Sequence, residues 1–165
     1  MLSESSVESK VENDEILYRS VELIEDNFKV SEDGDYRVSS QAFADRELQV
    51  SLFRKILCDK PPLSNPPRLN ETDAVISLNA RDIREESPII KNDQKYHIDI
   101  KPDGEPNHHK SHCIVISDPK FQSNSFKKLK EKLVRLSPLE KFEITPPESF
   151  IESIRSKKFP LTKKL

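Results

Sequence analysis

Tyr96-His97-Ile98-Asp99-Ile100 decides the fold class. Tyr96, Ile98 and Ile100 recur at period two with His97 and Asp99 between them, the pattern of a strand with one buried face. Lys101-Pro102-Asp103-Gly104 then turns the chain. His112-Cys113-Ile114-Val115-Ile116 follows as a near-continuous apolar run, expected as a buried strand central to a sheet. Upstream, Pro88-Ile89-Ile90 supplies further strand material. Ala74-Val75-Ile76-Ser77-Leu78 reads as a short apolar strand. Asn79 is a good N-cap for a brief helix over 80–86 that stops before Pro88.

Further toward the N-terminus, Leu48-Gln49-Val50-Ser51-Leu52 alternates as a half-buried strand. Residues 53–57 shift to a spacing compatible with a helical turn or two. Tyr36-Arg37-Val38-Ser39-Ser40 is extended after a turn at Gly34. Ile16-Leu17-Tyr18-Arg19-Ser20-Val21 is the first strand, rich in β-branched and aromatic residues. Residues 58–71 are a loop, because Pro61-Pro62 and Pro66-Pro67 remove four backbone donors; it is a lid or a surface excursion.

Toward the C-terminus, Phe126, Leu129, Leu133 and Leu136 form one apolar stripe of a helix over 126–136, capped by Ser123 or Ser125. Lys127, Lys128, Lys130, Lys132 and Arg135 cover its other sides, and Pro138 ends it. Thr145 and Glu148 stand three apart as in a capping box, ahead of a helix carrying Phe150, Ile151 and Ile154. The fold class is therefore α+β. The expectation is a mostly antiparallel sheet of about five strands, one basic amphipathic helix packed on it, and a short C-terminal helix.

The 165 residues suffice for one domain, and apolar and charged residues each make up 34% of them, so the core is thin. Three parts are expected: an acidic disordered arm over 1–14, the α+β domain over 15–138, and a C-terminal helix with a basic tail over 139–165. No apolar run approaches a membrane span, and the acidic, polar N-terminus is unlike a signal peptide. Cys58 and Cys113 are too few for a disulfide framework, so a cytoplasmic protein with free thiols is expected. Residues 1–35 hold eleven acidic and three basic side chains, and residues 120–165 hold twelve basic and five acidic ones. Such a chain can fold its ends toward each other or offer the basic end to an anionic partner.

Gly34 and Gly104 are the only glycines. Phosphate-cradling loops need several, so dinucleotide-binding and P-loop folds are excluded, and no Gly-x-Ser-x-Gly elbow exists. No cofactor is expected. Three stretches hold the candidate site. Arg19 could bind a phosphate or carboxylate, or form an ordinary ion pair. Ser39 and Ser40 could orient a ligand, or bond their own backbone at a strand end. His112 could serve as acid or base. No metal is assigned, but His108, His109, His112 and Cys113 have the ligand chemistry of a zinc site. If 112–113 is a strand, His112 and Cys113 point to opposite faces.

The order Leu17-Tyr18-Arg19, then Ser39-Ser40-Gln41-Ala42-Phe43 with Leu48-Gln49-Val50-Ser51, then Ser111-His112 before a strand and a basic helix, resembles a set of small bacterial proteins. The resemblance covers about residues 15–136. It implies bacterial origin, one compact domain, and a shared place for Arg19, Ser39, Ser40 and His112. It carries no reaction. The leading expectation is a non-enzymatic accessory protein that binds a protein partner in a bacterial multi-component system. The alternative is an enzyme or ligand-binding domain for a phosphorylated or nucleotide-like substrate, using Arg19, Ser39, Ser40 and His112. A second alternative is nucleic-acid binding through Lys127, Lys128, Lys130, Lys132 and Arg135.

Overall fold

The computed structural model describes residues 9–63 and 66–160. Nine strands follow in chain order: β1 (Ile16–Val21), β2 (Phe28–Val30), β3 (Tyr36–Val38), β4 (Val50–Arg54), β5 (Ala74–Asn79), β6 (Ile89–Lys91), β7 (Gln94–Pro102), β8 (His112–Asp118) and β9 (Phe142–Ile144). Three α-helices accompany them among the described residues: α1 (Ala80–Arg84), α2 (Ser123–Arg135) and α3 (Glu148–Lys158). Seven strands form one antiparallel sheet in the order β6-β7-β8-β4-β1-β5-β9, and β2 and β3 form a separate ribbon.

The α+β class stands, with a large antiparallel sheet. The expected count of about five strands is corrected to seven in the sheet, and the three α-helices of the described residues are the brief one expected after Asn79, the basic one and the C-terminal one. The strand material expected at Pro88-Ile89-Ile90 becomes the outer strand β6, and the sheet gains β9 at its other edge, three residues long and too short to show a period. The extended stretch at Tyr36 goes to the ribbon instead. The strand expected over 48–52 runs from Val50 to Arg54, so Phe53 belongs to it; Lys55–Leu57 makes the helical turn.

In β7, Tyr96, Ile98 and Ile100 are buried and the residues between them are exposed, as the alternation requires. β8 lies between β7 and β4, with Cys113 and Val115 wholly buried. Burial of Cys113 pushes its thiol up to about 12. Helix α2 buries Phe126, Leu129 and Leu133 against β6 and the 3-10 turn Ser40–Phe43. Its N-cap is Gln122, and Ser125 closes the capping box from inside the helix by accepting from the Gln122 amide at 2.9 Å. Helix α3 starts after Pro147 without the Thr145–Glu148 box. It packs Ile151 and Ile154 inward.

Of the stretch expected as a disordered arm, residues 1–8 lie outside the described residues, and Val11 is fully buried. Arg54, with only 1% of its side chain exposed, holds this segment. Its Nε and Nη2 donate to the two Glu15 carboxylate oxygens at 2.8 and 2.7 Å, and Nη1 donates to the Ser9 carbonyl at 2.8 Å. The acidic first stretch and the basic last one also touch: Lys157 Nζ lies 3.0 Å from Glu25 Oε1. Residues 161–165 of the expected basic tail lie outside the described residues.

Candidate functional site

The site lies where two neighbouring strands separate. β1 and β4 pair only at Leu17–Arg54 and Tyr18–Phe53. Beyond that point Ser51 turns its backbone to a polar pair instead of a ladder. Its amide donates to Asp45 Oδ2 at 2.8 Å, and its carbonyl accepts from Arg19 Nη1 at 2.9 Å. The Arg19 guanidinium lies fork to fork with Asp45, at 2.6 and 2.8 Å, and gives Nε and Nη2 to the Ala42 carbonyl at 2.9 and 2.7 Å. A guanidinium has five N–H donors, and these five bonds use all of them. Arg19 thus ties the split strands to the Ser40–Phe43 turn, and it has no donor left for a ligand.

One wall of the split is the end of the proline-rich loop. Ser20 Oγ donates to Asp73 Oδ2 at 2.6 Å and accepts from the Leu69 amide at 3.1 Å, while Asp73 also accepts from the Asn70 amide at 3.1 Å. These bonds fix the backbone of Leu69 although its side chain is exposed.

The opposite wall is the connection between β7 and β8. Pairing of the two strands ends at Pro102–Cys113, and the Asp103 amide donates to the His112 carbonyl at 2.9 Å. The loop then folds back on itself: the His108 amide donates to the Gly104 carbonyl at 3.1 Å. A Cβ on Gly104 would stand 3.1 Å from both Cα and O of Lys110, so only glycine lets the two limbs come this close. The result brings Asp103 beside His108 and His112. His112 Nδ1 lies 2.9 Å from the main-chain oxygen of Asp103 and 3.2 Å from its Oδ2. His108 Nε2 lies 3.5 Å from the same carboxylate oxygen, and the two imidazole rings are 4.2 Å apart. Phe53, opposite His112 across the β4–β8 pair, meets its ring edge-on at 5.6 Å. His109 is held separately: its Nδ1 accepts from the Ser111 amide at 3.1 Å.

Between these walls is a cavity of about 490 Å³, lined by Arg19, Asp45, Ser51, Phe53, Leu69 and the three histidines 108, 109 and 112, with Ser20 and Pro66. Arg19 and His112, from distant stretches, therefore share one cavity. Ser39 and Ser40 do not line it. Ser39 caps the Ser40–Phe43 turn, accepting from the Gln41 amide at 3.2 Å and donating to the Asp26 carbonyl, and Ser40 begins that turn half-buried. Their connection to the site is indirect, since the turn they start presents the Ala42 carbonyl to Arg19. Cys113 also stays away from the histidines, because it faces the core on a strand where His112 faces the cavity.

Sequence reasoning missed Asp103, Ser51 and Phe53. Asp103 belongs to the Lys101-Pro102-Asp103-Gly104 turn, and its only sequence signal is a carboxylate at the base of a loop bearing three histidines.

The basic side of α2 is partly committed within the molecule. Lys132 and Arg135 lie 3.2 and 3.8 Å from Glu86, Lys128 donates to the Ile90 carbonyl, and Lys130 sits over the Phe126 ring. Among the described residues no helix is long and apolar enough to cross a membrane. Comparison of the chain with protein-family models, curated proteins and solved structures gives no match in any of the three.

Proposed function

We propose that this domain binds a small phosphorylated or nucleotide-like ligand in the cavity at the β1–β4 split, with His112 as the group that contacts its anionic part. The observation that carries the reading is the convergence of His108, His109 and His112 on one cavity that also presents apolar Phe53, Pro66 and Leu69, beside the mutually paired Arg19 and Asp45. A volume near 490 Å³ falls within the range of small-molecule sites. Apolar walls suit a base or ring, and imidazole N–H groups suit an anion. His112 is pre-oriented by Asp103 on one side and Phe53 on the other, so little side-chain freedom is lost on binding. Arg19 enters this reading as the residue that holds the cavity open, not as the anion clamp. The free thiols of Cys58 and Cys113 support a cytoplasmic setting.

Titration calorimetry with AMP and ADP tests the proposal. Saturable binding is expected, weakened about tenfold in His112→Asn, the equivalent of one charge-assisted hydrogen bond. Absence of binding by either nucleotide at millimolar concentration, with the protein folded, overturns it.

One observation favours the accessory-protein reading as a second one. Ile56, Leu63 and Leu69 are 66%, 70% and 59% exposed in and beside the proline-rich loop, where a protein partner would find apolar side chains. Replacing Ile56 and Leu63, which do not line the cavity, with serine would weaken such an association and leave nucleotide binding by the histidines in place.

A further inference from the structure

The geometry points to a divalent transition-metal site formed by Asp103, His108 and His112, with zinc the best-suited ion. The three residues each offer a ligand atom, and these atoms lie within 4.8 Å of one another. An ordinary ion pair is the competing account, and the two separations are long for one and suited to ligands of a shared ion. Charge-assisted hydrogen bonds between nitrogen and carboxylate close to about 2.7–2.9 Å. Here Asp103 Oδ2 stands 3.2 Å from His112 Nδ1 and 3.5 Å from His108 Nε2. Ligands about 2.1 Å from a tetrahedral zinc ion are spaced about 3.4 Å apart, so both separations match the edges of such a polyhedron.

The donor set fits the same ion. Two imidazoles and a carboxylate are borderline ligands that favour zinc and its neighbours over calcium or magnesium, which take oxygen. His112 is buried and braced by Phe53, whereas His108 and Asp103 are accessible, so an ion can enter from solvent. In the arrangement described, the Nδ1–H of His112 donates to the Asp103 carbonyl. Ligation through Nδ1 would move that proton to Nε2, with no change of charge, and would require the ring to turn off the Asp103 carbonyl, which takes the same in-plane direction. Three protein ligands leave a coordination position on the side where His108 and His112 line the cavity. That is the arrangement of zinc sites that hold water or a substrate atom, in contrast to closed structural sites with four protein ligands. The ion would face the anionic end of a ligand bound in the cavity. The metal inference uses the same cavity as the nucleotide reading but does not depend on it.

The test uses the full chain, treated with EDTA and dialysed, titrated with Zn²⁺ by calorimetry and with Co²⁺ by visible absorption. One ion per chain is expected, with the intense d–d bands of a four-coordinate cobalt site. His108→Ala and Asp103→Asn, both at accessible positions, are each expected to weaken binding by more than about tenfold, and His109→Ala to leave it unchanged. His112→Ala serves as a third variant, interpreted only if its circular dichroism matches the parent. Absence of Zn²⁺ binding in the parent, or equal binding in His108→Ala and Asp103→Asn, overturns the inference. Nucleotide titration of the EDTA-treated protein separates the two readings. Nucleotide binding without metal binding leaves the cavity reading and removes the metal site; metal binding without nucleotide binding does the reverse.

Discussion

Two arginines, Arg19 and Arg54, perform related tasks in different surroundings. Arg19 is paired with Asp45 at the edge of a cavity and replaces the ladder bonds that β1 and β4 fail to make at Ser51. Arg54 is sealed inside with Glu15 and fastens the segment before β1 to the end of β4. The energetic consequences differ because a buried charge left without its partner keeps its full desolvation cost. Arg54→Leu is expected to destabilise the protein by about 3–5 kcal/mol, since it strands the Glu15 carboxylate in the interior. Adding Glu15→Leu to it should recover a large part of that loss. Urea unfolding of the two single variants and the double variant checks this, and an additive double variant would show that the pair carries no coupling.

At the scale of elements, the loop between β7 and β8 is the part of the fold that makes chemistry available. The strands on either side are ordinary: one alternates and the other is buried. The loop acquires its shape because Gly104 allows the Lys110 backbone within 3.1 Å of where a side chain would begin. The three atoms met there all belong to backbone, which yields less readily than a side chain. Gly104→Ala should therefore separate the loop limbs by a few tenths of an ångström and shift His108 and His112 away from Asp103. The expected result is weaker nucleotide and Co²⁺ binding, with the unfolding free energy changed by less than about 1 kcal/mol. An unaltered affinity would mean that the histidines are placed by something other than this contact. Helix α2 contributes in a different way, by covering the core with Phe126, Leu129 and Leu133 while its cations are drawn to Glu86 and to the Ile90 carbonyl.

Across the whole molecule, the acidic stretch at Glu25 and the basic helix α3 are brought together, but charge is a minor part of what holds them. Lys157 is 73% exposed in its pair with Glu25, and an exposed pair of this kind contributes a fraction of a kcal/mol. The stronger link is an aromatic seam. Phe150 of α3 meets Phe28 of β2 at 5.3 Å, Phe28 meets Tyr36 at 6.5 Å, and Tyr36 meets Phe142 of β9 at 5.8 Å. The seam joins the two-stranded ribbon to the C-terminal helix and to the edge of the large sheet. Phe28→Ala should cost about 3–5 kcal/mol. Raising sodium chloride from 50 to 500 mM should move the unfolding midpoint of the parent little. A large loss of stability in salt, with a small one in Phe28→Ala, would reverse the ranking.

Local composition and period determined much of this protein. The alternation of Tyr96, Ile98 and Ile100, the apolar run at His112–Ile116 and the stripe of Phe126, Leu129 and Leu133 each fix which side of an element is buried, and together they give the α+β class. The same reasoning put His112 and Cys113 on opposite faces. Tertiary structure alone decided which elements lie side by side, because a period specifies a face and not a neighbour. Edge strands of three residues, such as Phe142–Ile144, are too short to carry a period at all. Arg19 met Asp45 across the split between β1 and β4, Ser39 and Ser40 became a cap behind the cavity, and Asp103 became a partner of two histidines. Each outcome depends on where the chain crosses itself: at the split between β1 and β4, and at a glycine that lets one loop close.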